Sequence, residues 1–477
     1  MYVADARTAS ESSGPGPHPG RTLGPLPAAD TRAVARPAAR TVLRAVPHTV
    51  LVLGTVSLIT DVSSEMVTAV LPLYLVAELG LSPLGFGLLD GVYNGVSALV
   101  RLVGGHLADR GRRHKTTAAL GYGLSALCKP ALLAVHSVPL IGAVLAVDRT
   151  GKGLRTAPRD AMISLAAPPE AQGRSFGVHR AMDTTGALLG PLTAFFVLRT
   201  AAGGFDAVFV VSFCIATMGV LVLLLFAPGR VPATAPPSGA AVAPAPATGR
   251  PAAAAATVSV RAALALLGRP HLRRLTGCAF VLGLATVSDS FVYLLLQRRL
   301  DLSERWFPLL PLGTAGAFLL LAVPLGHAAD RFGRWRVFLA GHLGLLVAYG
   351  LLLAPTHATG EPVGPVTVAG LVVAGLPVAV LVLHGAFYAA TDGVLMAAAA
   401  GSVPAELRAS GLALVQTGQA GARFGCSLSF GVAWTAWGSH TALIVATVTL
   451  ATCVAASAFI RPIAVPIAAP NAPRETT

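Results

Sequence analysis

Two short stretches of this sequence, Gly105-His-Leu-Ala-Asp109-Arg110 and Gly326-His-Ala-Ala-Asp330-Arg331, agree at five of six positions and begin 221 residues apart. A second pair, Leu79-Gly-Leu-Ser and Leu300-Asp-Leu-Ser, has the same offset. Matching stretches at equivalent places in two halves of a chain indicate an internal duplication. The sequence therefore predicts two structural repeats with the same order of elements.

Long apolar segments surround these stretches. About 20 consecutive apolar residues suffice to cross a bilayer as a helix. We count twelve such segments, at approximately 49–77, 84–106, 116–136, 138–166, 175–198, 206–227, 275–297, 306–328, 336–355, 366–400, 410–433 and 438–460. Because six lie in each half, we predict an all-α membrane protein whose twelve transmembrane helices form two six-helix bundles related by pseudo-two-fold symmetry.

The composition supports a membrane protein. The 477 residues are 54% hydrophobic and 12% charged, and the mean hydropathy is +0.70. Since soluble domains carry roughly 25% charged residues, this chain has too little charge for a surface that faces water. The composition excludes a cytosolic enzyme, a disordered chain and a secreted disulfide scaffold.

Two kinds of cofactor site have no sequence signal. The five cysteines are scattered through apolar stretches without metal-type or C-x-x-C spacing. No phosphate-binding loop of the form G-x-x-x-x-G-K-[ST] is present. We therefore expect no metal, no cofactor and no enzymatic activity, and we do not expect ATP to drive this chain.

Composition also divides the chain into regions. Pro, Gly, Ala and Arg dominate the first 46 residues, and Ala and Pro dominate the stretch between the sixth and seventh segments. We predict a disordered cytoplasmic tail at 1–46, an N-terminal bundle at 47–227, a cytoplasmic linker at 228–262, a C-terminal bundle at 263–461 and a cytoplasmic tail at 462–477.

The positive charge has an uneven distribution. The net charge is +14, which in a soluble protein suggests nucleic-acid binding. Here most Arg residues lie in the tails, the linker and the connections that follow even-numbered segments, as membrane proteins show at their cytoplasmic side. We expect a multi-pass protein of the cell membrane, with both termini cytoplasmic. Its expected partners are the lipid bilayer, protons and a small-molecule substrate, with no nucleic acid, and we expect a monomer.

The two repeated stretches resemble the signature of the major facilitator superfamily of secondary transporters, G-x-x-x-D-R-x-G-R-[RK]. The second copy has Gly326, Asp330, Arg331, Gly333 and Arg334. The first has Gly105, Asp109, Arg110 and Arg113, with Arg112 at the place of the second glycine. The resemblance implies a conformational latch that closes the cytoplasmic side, to which we add Asp160. The alternative is an ordinary basic loop with weak surface ion pairs.

Two further motifs carry the resemblance. Gly186-x-x-x-Gly190-Pro191 in the fifth segment is similar to a G-x-x-x-G-P motif of exporting antiporters, and its glycines permit close helix packing. The stretches Thr60-Asp61-Val-Ser-Ser-Glu65-Met66 and 148–160 resemble a bacterial subgroup of permeases and efflux proteins. The G-x-x-x-G-P motif favours export.

Ionisable residues inside the segments are the candidates for mechanism, because a charge in the bilayer costs roughly 2.5–3.5 kcal/mol on insertion scales. Asp61 and Glu65 are four residues apart and share a helix face. Two adjacent carboxylates repel each other, so we predict that they couple protons, together with Asp289 in the seventh segment. The alternative is that each is paired with a buried Arg or Lys from a neighbouring helix.

The fourth segment carries the most charge. Asp148, Lys152, Arg155 and Arg159 fall on one helical stripe. We assign Asp148, Arg149, Lys152, Arg155 and Asp183 to the substrate cavity, with two alternatives open: a neutralised structural network, or a cationic patch for anionic groups. Further charges lie singly in other segments: Asp90, Arg101, Lys129, Asp392 and Arg423.

These features predict a secondary active transporter, most simply a proton-coupled antiporter that exports a small organic, drug-like compound by alternating access. One alternative is proton-linked uptake of an anionic metabolite, suggested by the basic stripe. The other is a membrane receptor or lipid-handling scaffold that does not transport.

Overall fold

The computed structural model describes residues 46–111, 114–167, 171–201, 204–228, 266–354, 368–401 and 408–459. All regular structure in these ranges is helical, and it confirms the all-α prediction and the twelve segments. The helices are α1 His48–Leu73, α2 Pro83–Gly111, α3 His114–Ala134, α4 Val138–Ala166, α5 Gln172–Thr200, α6 Gly204–Phe226, α7 in two halves Pro270–Ala285 and Asp289–Leu300, α8 Leu309–Phe332, α9 Arg334–Leu353, α10 Val368–Gly401, α11 at 408–437 and α12 at 439–459.

Two helices depart from a regular span. In α1 a π-helical turn, Tyr74–Glu78, follows Pro72. In α7 the backbone is extended between the two halves, and the second half begins with Ser288 at its N-cap and Asp289 in its first turn. Both residue types are favoured at a helix N-terminus. The seventh segment is therefore a broken helix, a form found at binding sites of membrane transporters.

The helices of each half pack against one another. In the first half α1 packs on α5 and α6, α3 on α4 and α6, and α2 on α4. In the second half α10 packs on α8 and α9, while the first half of α7 packs on the α11–α12 run. The described halves contact each other mainly through α2 and α11, with smaller contacts between α5 and α8 and between α1 and the second half of α7.

The surface of the described residues is apolar and the interior holds charge. Leu120, Leu225 and Leu320 are between 66% and 77% exposed, whereas Asp148 and Arg155 are buried. Eight of the described helices are long and apolar enough to cross a membrane. This distribution suits a lipid environment, where polar groups have to be satisfied inside the protein.

Candidate functional site

The site begins with the polar stripe of α4. This helix starts after Ser137, with Pro139 in its first turn, and packs against α1, α2 and α3. The stripe is therefore enclosed by three helices. Arg149, Arg155 and Arg159 are all less than 10% exposed, so each needs a partner in the bundle.

Two ion pairs join α4 to α1. The Asp61 carboxylate lies 2.9 Å from a guanidinium nitrogen of Arg155, and Lys152 Nζ lies 3.3 Å from the Glu65 carboxylate. The first pair is buried, while the side chains of the second are about a quarter to a third exposed. The two carboxylates predicted to share a face of α1 therefore each pair with a cation of α4.

A second cluster joins α4 to α3. Asp148 accepts hydrogen bonds from Lys129 Nζ at 2.9 Å, from Arg149 Nη2 at 2.6 Å and from Ser125 Oγ at 2.5 Å. Asp148, Lys129 and Arg149 are nearly inaccessible. Asp148 and Arg149 are thus buried in the N-terminal half, and their assignment to a substrate cavity stays a prediction.

A third cluster lies further along α4. Arg159 Nε donates to Asp160 at 3.0 Å, and another of its nitrogens lies 3.6 Å from the Asp183 carboxylate on α5. Arg159 also donates to Ser57 Oγ at 3.2 Å, which in turn contacts His179 Nε2 at 3.0 Å. Asp160 therefore pairs with Arg159, its neighbour on α4. Arg113, which belongs with Asp160 to the predicted latch, lies outside the described residues.

The three clusters are close to electrically neutral. Their carboxylates are Asp61, Glu65, Asp148, Asp160 and Asp183, and their cations are Lys129, Arg149, Lys152, Arg155 and Arg159. Arg180, whose side chain is 78% exposed, adds a charge at the edge through a contact with Asp183. This arrangement matches the interpretation of the stripe as a neutralised network.

Aromatic rings support the buried guanidinium groups. Arg149 lies over the ring of Tyr93, 4.0 Å from its centroid, and Arg155 lies over Tyr122 at 4.6 Å. A desolvated cation–π contact contributes about 2 kcal/mol. The sequence does not predict these contacts or that of Ser125, because none of the three side chains is charged and their spacing is that of ordinary helix packing.

The second half contributes a different arrangement. The Asp289 carboxylate accepts a hydrogen bond from Tyr388 and lies 3.1 Å from His384 Nε2. Its side chain is 41% exposed, and among the described residues no Lys or Arg pairs with it. Nearby, Asp392 and Arg423 form a half-exposed pair at 3.7 Å.

The two halves meet near residues 79–82, at the end of the molecule where α1 is succeeded by α2; we call this the α1–α2 end. Phe86 of α2 packs on Phe291 of α7, with ring centroids 4.8 Å apart, and Phe291 also contacts Phe430 of α11. Phe195 of α5 contacts Trp306 just before α8, at 5.3 Å. These contacts close the space between the halves at the α1–α2 end.

The predicted latch is only partly described. Gly105, Asp109 and Arg110 belong to α2, but their side chains, like Arg112 and Arg113, lie outside the described residues. In the second copy Asp330 contacts Arg334 at 3.8 Å, with both side chains exposed, and Arg331 lies over Phe332. Gly333 has φ +98°, a conformation that favours glycine in the tight turn between α8 and α9.

The G-x-x-x-G-P motif lies where α5 crosses α1. A Cβ atom built on Gly190 would lie 2.7 Å from Cβ of Glu65 and 2.9 Å from the carbonyl oxygen of Val62, and Gly186 is equally close to Leu58. Pro191 is inside α5 without ending it. The two glycines therefore permit the close approach of α5 to α1 along the stretch that carries Asp61 and Glu65.

Solved transporters share this fold. A nucleoside transporter aligns with a TM-score of 0.70 over 87% of this chain and 100% of its own, at 14% identity. A peptide transporter in complex with sulfate gives 0.65 over 88% and 98%, at 15% identity. A bacterial homolog of the human lysosomal transporter Spinster, in an inward-facing and unoccupied conformation, gives 0.63 over 87% and 96%, at 14% identity.

Sequence relatives match part of the chain. An uncharacterised MFS-type transporter of Methanocaldococcus jannaschii is 39% identical over 158 residues, which is 32% of this chain and 39% of that protein. An uncharacterised protein of Mycobacterium tuberculosis is 37% identical over 144 residues, 30% of this chain and 35% of its own length. The sequence profile of the Major Facilitator Superfamily matches residues 53–425. With its helical architecture, this match shows that the chain belongs to the Major Facilitator Superfamily of membrane transporters.

Proposed function

We propose that this transporter is a proton-coupled antiporter that exports a small organic compound by alternating access. One observation carries the proposal. The interior carboxylates of α1 are held by cations of α4, Asp61 by Arg155 and Glu65 by Lys152, whereas Asp289 of α7 has no such cation among the described residues. A proton can neutralise each of these carboxylates. The free energy of protonation depends on whether a cation from a neighbouring helix is paired with the carboxylate.

The contacts between the halves support alternating access. The halves touch at the α1–α2 end through Phe86, Phe291, Phe195 and Trp306. The basic residues lie in the tails and in the connections that follow even-numbered helices. They favour a cytoplasmic location for the end of the molecule opposite the α1–α2 end. With that orientation, the conformation described here is closed to the outside. The Spinster homolog with the same fold is inward-facing.

Proton binding can be linked to this conformation through the α1–α4 pairs. A proton on Asp61 or Glu65 removes the negative charge and weakens the contact with Arg155 or Lys152. In the buried Asp61–Arg155 pair, removing one partner costs roughly 3–5 kcal/mol, because the remaining charge is left uncompensated. A conformation in which α4 finds another partner or reaches water is then favoured.

The antiport direction rests on the α5 motif. Gly186 and Gly190 bring α5 against α1, and the G-x-x-x-G-P motif resembles that of exporting antiporters. Uptake of an anionic metabolite would need free cations in the α4 stripe. In the described residues these cations are paired with carboxylates, so we favour export.

The experiment is proton flux in proteoliposomes. Purified transporter is reconstituted with a pH gradient and a pH-sensitive dye, and a panel of organic cations, neutral drugs, nucleosides, peptides and carboxylates is added. We expect at least one compound to cause proton movement, and Asp61→Asn, Glu65→Gln or Asp289→Asn to abolish it. Glu78→Gln is the matched control, because Glu78 is an exposed acid at the end of the same α1 segment.

Each outcome decides a part of the proposal. Flux that is unchanged in the Asp61, Glu65 and Asp289 variants would overturn the coupling assignment. Flux caused only by anions, in the direction of uptake, would support the metabolite alternative. No flux with any compound would favour a protein that does not transport. For export itself, cells that express the chain should tolerate a higher concentration of the active compound than cells with Asp61→Asn.

A further inference from the structure

Asp90 of α2 lies at the contact between the two halves. Its side chain is buried, with 8% of the residue exposed, and its Oδ2 accepts a hydrogen bond of 2.5 Å from Ser427 Oγ of α11. We propose that Asp90 is a proton-binding residue of the α2–α11 contact, protonated when the α1–α2 end is closed and ionised when it is open. This residue takes no part in the coupling assignment above.

The polar surroundings of Asp90 are hydroxyl groups. Ser427 is fully buried, and Ser290, from the second half of α7, lines the same small cavity as Asp90 and Tyr93. Among the described residues, no Lys, Arg or His nitrogen forms an ion pair with Asp90. In this respect Asp90 differs from Asp61 and Asp148, each of which contacts a cation.

The neighbouring titratable groups are few. Asp289 of α7 has a like charge close enough to repel an ionised Asp90. On α11, Arg423 and Cys426 are the groups that face it, and Arg423 is paired with Asp392. On the side of α4, the guanidinium of Arg149 lies over Tyr93 and donates a hydrogen bond to Asp148.

The packing on the α11 side leaves little room for water beside Asp90 while the helices touch. Gly87 of α2 lies against the backbone of Ser427 and Gly431, and a Cβ atom built on Gly431 would lie 2.6 Å from the carbonyl oxygen of Pro83. Thr435 Oγ1 accepts a hydrogen bond from the Leu84 amide at 3.0 Å. The full hydration that an ionised carboxylate needs therefore requires α2 and α11 to separate.

The energetic consequence links proton binding to the contact. A buried ionised carboxylate without a cation is strongly disfavoured and takes up a proton instead. When α2 and α11 separate, Asp90 reaches water and releases the proton. Because a ligand favours the state that binds it more tightly, acidification on the side of the α1–α2 end should favour closure, and a rise in pH should favour opening.

This inference uses the alternating access of the proposed function, but it can be tested without a substrate or a pH gradient. Spin labels are attached to non-natural amino acids at Leu88 of α2 and Val432 of α11, which are 40% and 48% exposed on the two touching helices. Pulsed electron resonance then gives the distance distribution in nanodiscs over a series of pH values. The five native cysteines stay in place.

We expect the short distance to dominate at acidic pH and to lose population as the pH rises. Asp90→Asn, which resembles the protonated form, should keep the short distance at every pH. Glu78→Gln, at an exposed acid of the α1 segment, should keep the pH dependence and serves as the control for a carboxylate outside the α2–α11 contact. The proposal would be overturned if Asp90→Asn showed the same pH dependence of the distance as the unmodified protein. It would also be overturned if Asp289→Asn lost the pH dependence while Asp90→Asn kept it.

Ser427→Ala provides a second test if Asp90→Asn does not fold. The hydroxyl stabilises the ionised carboxylate more than the protonated one, because hydrogen bonds to charged groups are stronger. Its removal should move the midpoint of the distance change upward by about one pH unit. A midpoint that stays the same or moves to lower pH would contradict the assignment, whatever the transport assay shows.

Discussion

The carboxylate of Asp61 lies 2.9 Å from the guanidinium of Arg155, and the pair joins α1 to α4 with both side chains buried. Arg155 also lies over the ring of Tyr122. Arg155 is the cation that forms the ion pair with Asp61, and Lys152 and Arg159 also act on this carboxylate. The closeness of the pair decides how single and double variants should behave.

We expect Asp61→Asn to destabilise the transporter by roughly 3–5 kcal/mol, because it leaves the Arg155 charge buried and uncompensated. The double variant Asp61→Asn with Arg155→Gln should recover much of this loss, since both charges are then removed. Thermal unfolding in detergent measures the effect. If the two single losses simply add in the double variant, the residues do not interact.

The same cycle separates stability from transport. The double variant should unfold near the temperature of the unmodified protein and still show no substrate-induced proton flux. Recovery of flux along with stability would mean that the pair has a structural role only.

The Asp148 cluster should be the most sensitive to loss of a charge. Asp148→Asn leaves Lys129 and Arg149 buried side by side without the carboxylate that holds them, so we expect a loss of several kcal/mol and little folded protein. Asp392→Asn is the matched control, because Asp392 and its partner Arg423 are half-exposed. We expect it to change stability by about 0–1 kcal/mol, as measured by detergent-solubilised yield and thermal unfolding. Equal losses in the two variants would contradict this account.

The sequence predicts the spans well because long apolar runs in a chain with 12% charge have few alternatives to membrane helices. It also predicts that Asp61 and Glu65 share one face of α1 and that Lys152 and Arg155 share one face of α4. It does not predict that these faces meet, because helix spacing fixes the direction of a side chain on its own helix and not the rotation of one helix against the next. Gly190 permits the close approach of α5 to α1 beside Glu65, but the sequence does not show which face of α4 lies against α1.

Other features depend on contacts between distant residues. Asp90 and Ser427 are 337 positions apart, and nothing near either residue in the sequence indicates the other. The break in α7 falls at Thr-Val-Ser, residue types that are also found inside helices, so local sequence predicts one continuous segment. Lys129 is visible in the sequence as an isolated charge, and only the packing of α3 on α4 supplies Asp148 as its partner.

Gly333 should be intolerant of a side chain because of its backbone. Its φ of +98° is one that residues with a Cβ atom rarely adopt, so we expect Gly333→Ala to cost about 1–3 kcal/mol. Gly326→Ala, in the same motif, is the control, since no atom lies within 4 Å of a Cβ built there. Hydrogen exchange at the α8–α9 connection should rise in the first variant only. A similar rise in both would show that the motif is sensitive for reasons other than backbone conformation.

Gly190 should be intolerant of a side chain because of its neighbours. A methyl group at this position would lie 2.7 Å from Cβ of Glu65 and 2.9 Å from the Val62 carbonyl oxygen, so Gly190→Ala has to push α5 away from α1. Overpacking of this kind costs typically 1–3 kcal/mol. Because α1 carries Asp61 and Glu65, the displacement should also lower substrate-induced proton flux, even in the fraction of protein that stays folded.

Gly177→Ala is the matched control, because Gly177 belongs to the same helix and a Cβ built on it has no atom within 4 Å. Alanine is the better helix former by about 1 kcal/mol, so this variant should unfold at an equal or slightly higher temperature, with unchanged flux. If Gly177→Ala and Gly190→Ala lose stability to the same extent, the loss reflects α5 in general. If only Gly190→Ala loses stability but flux per folded molecule is unchanged, the α1–α5 approach stabilises the fold without setting the α1–α4 ion pairs.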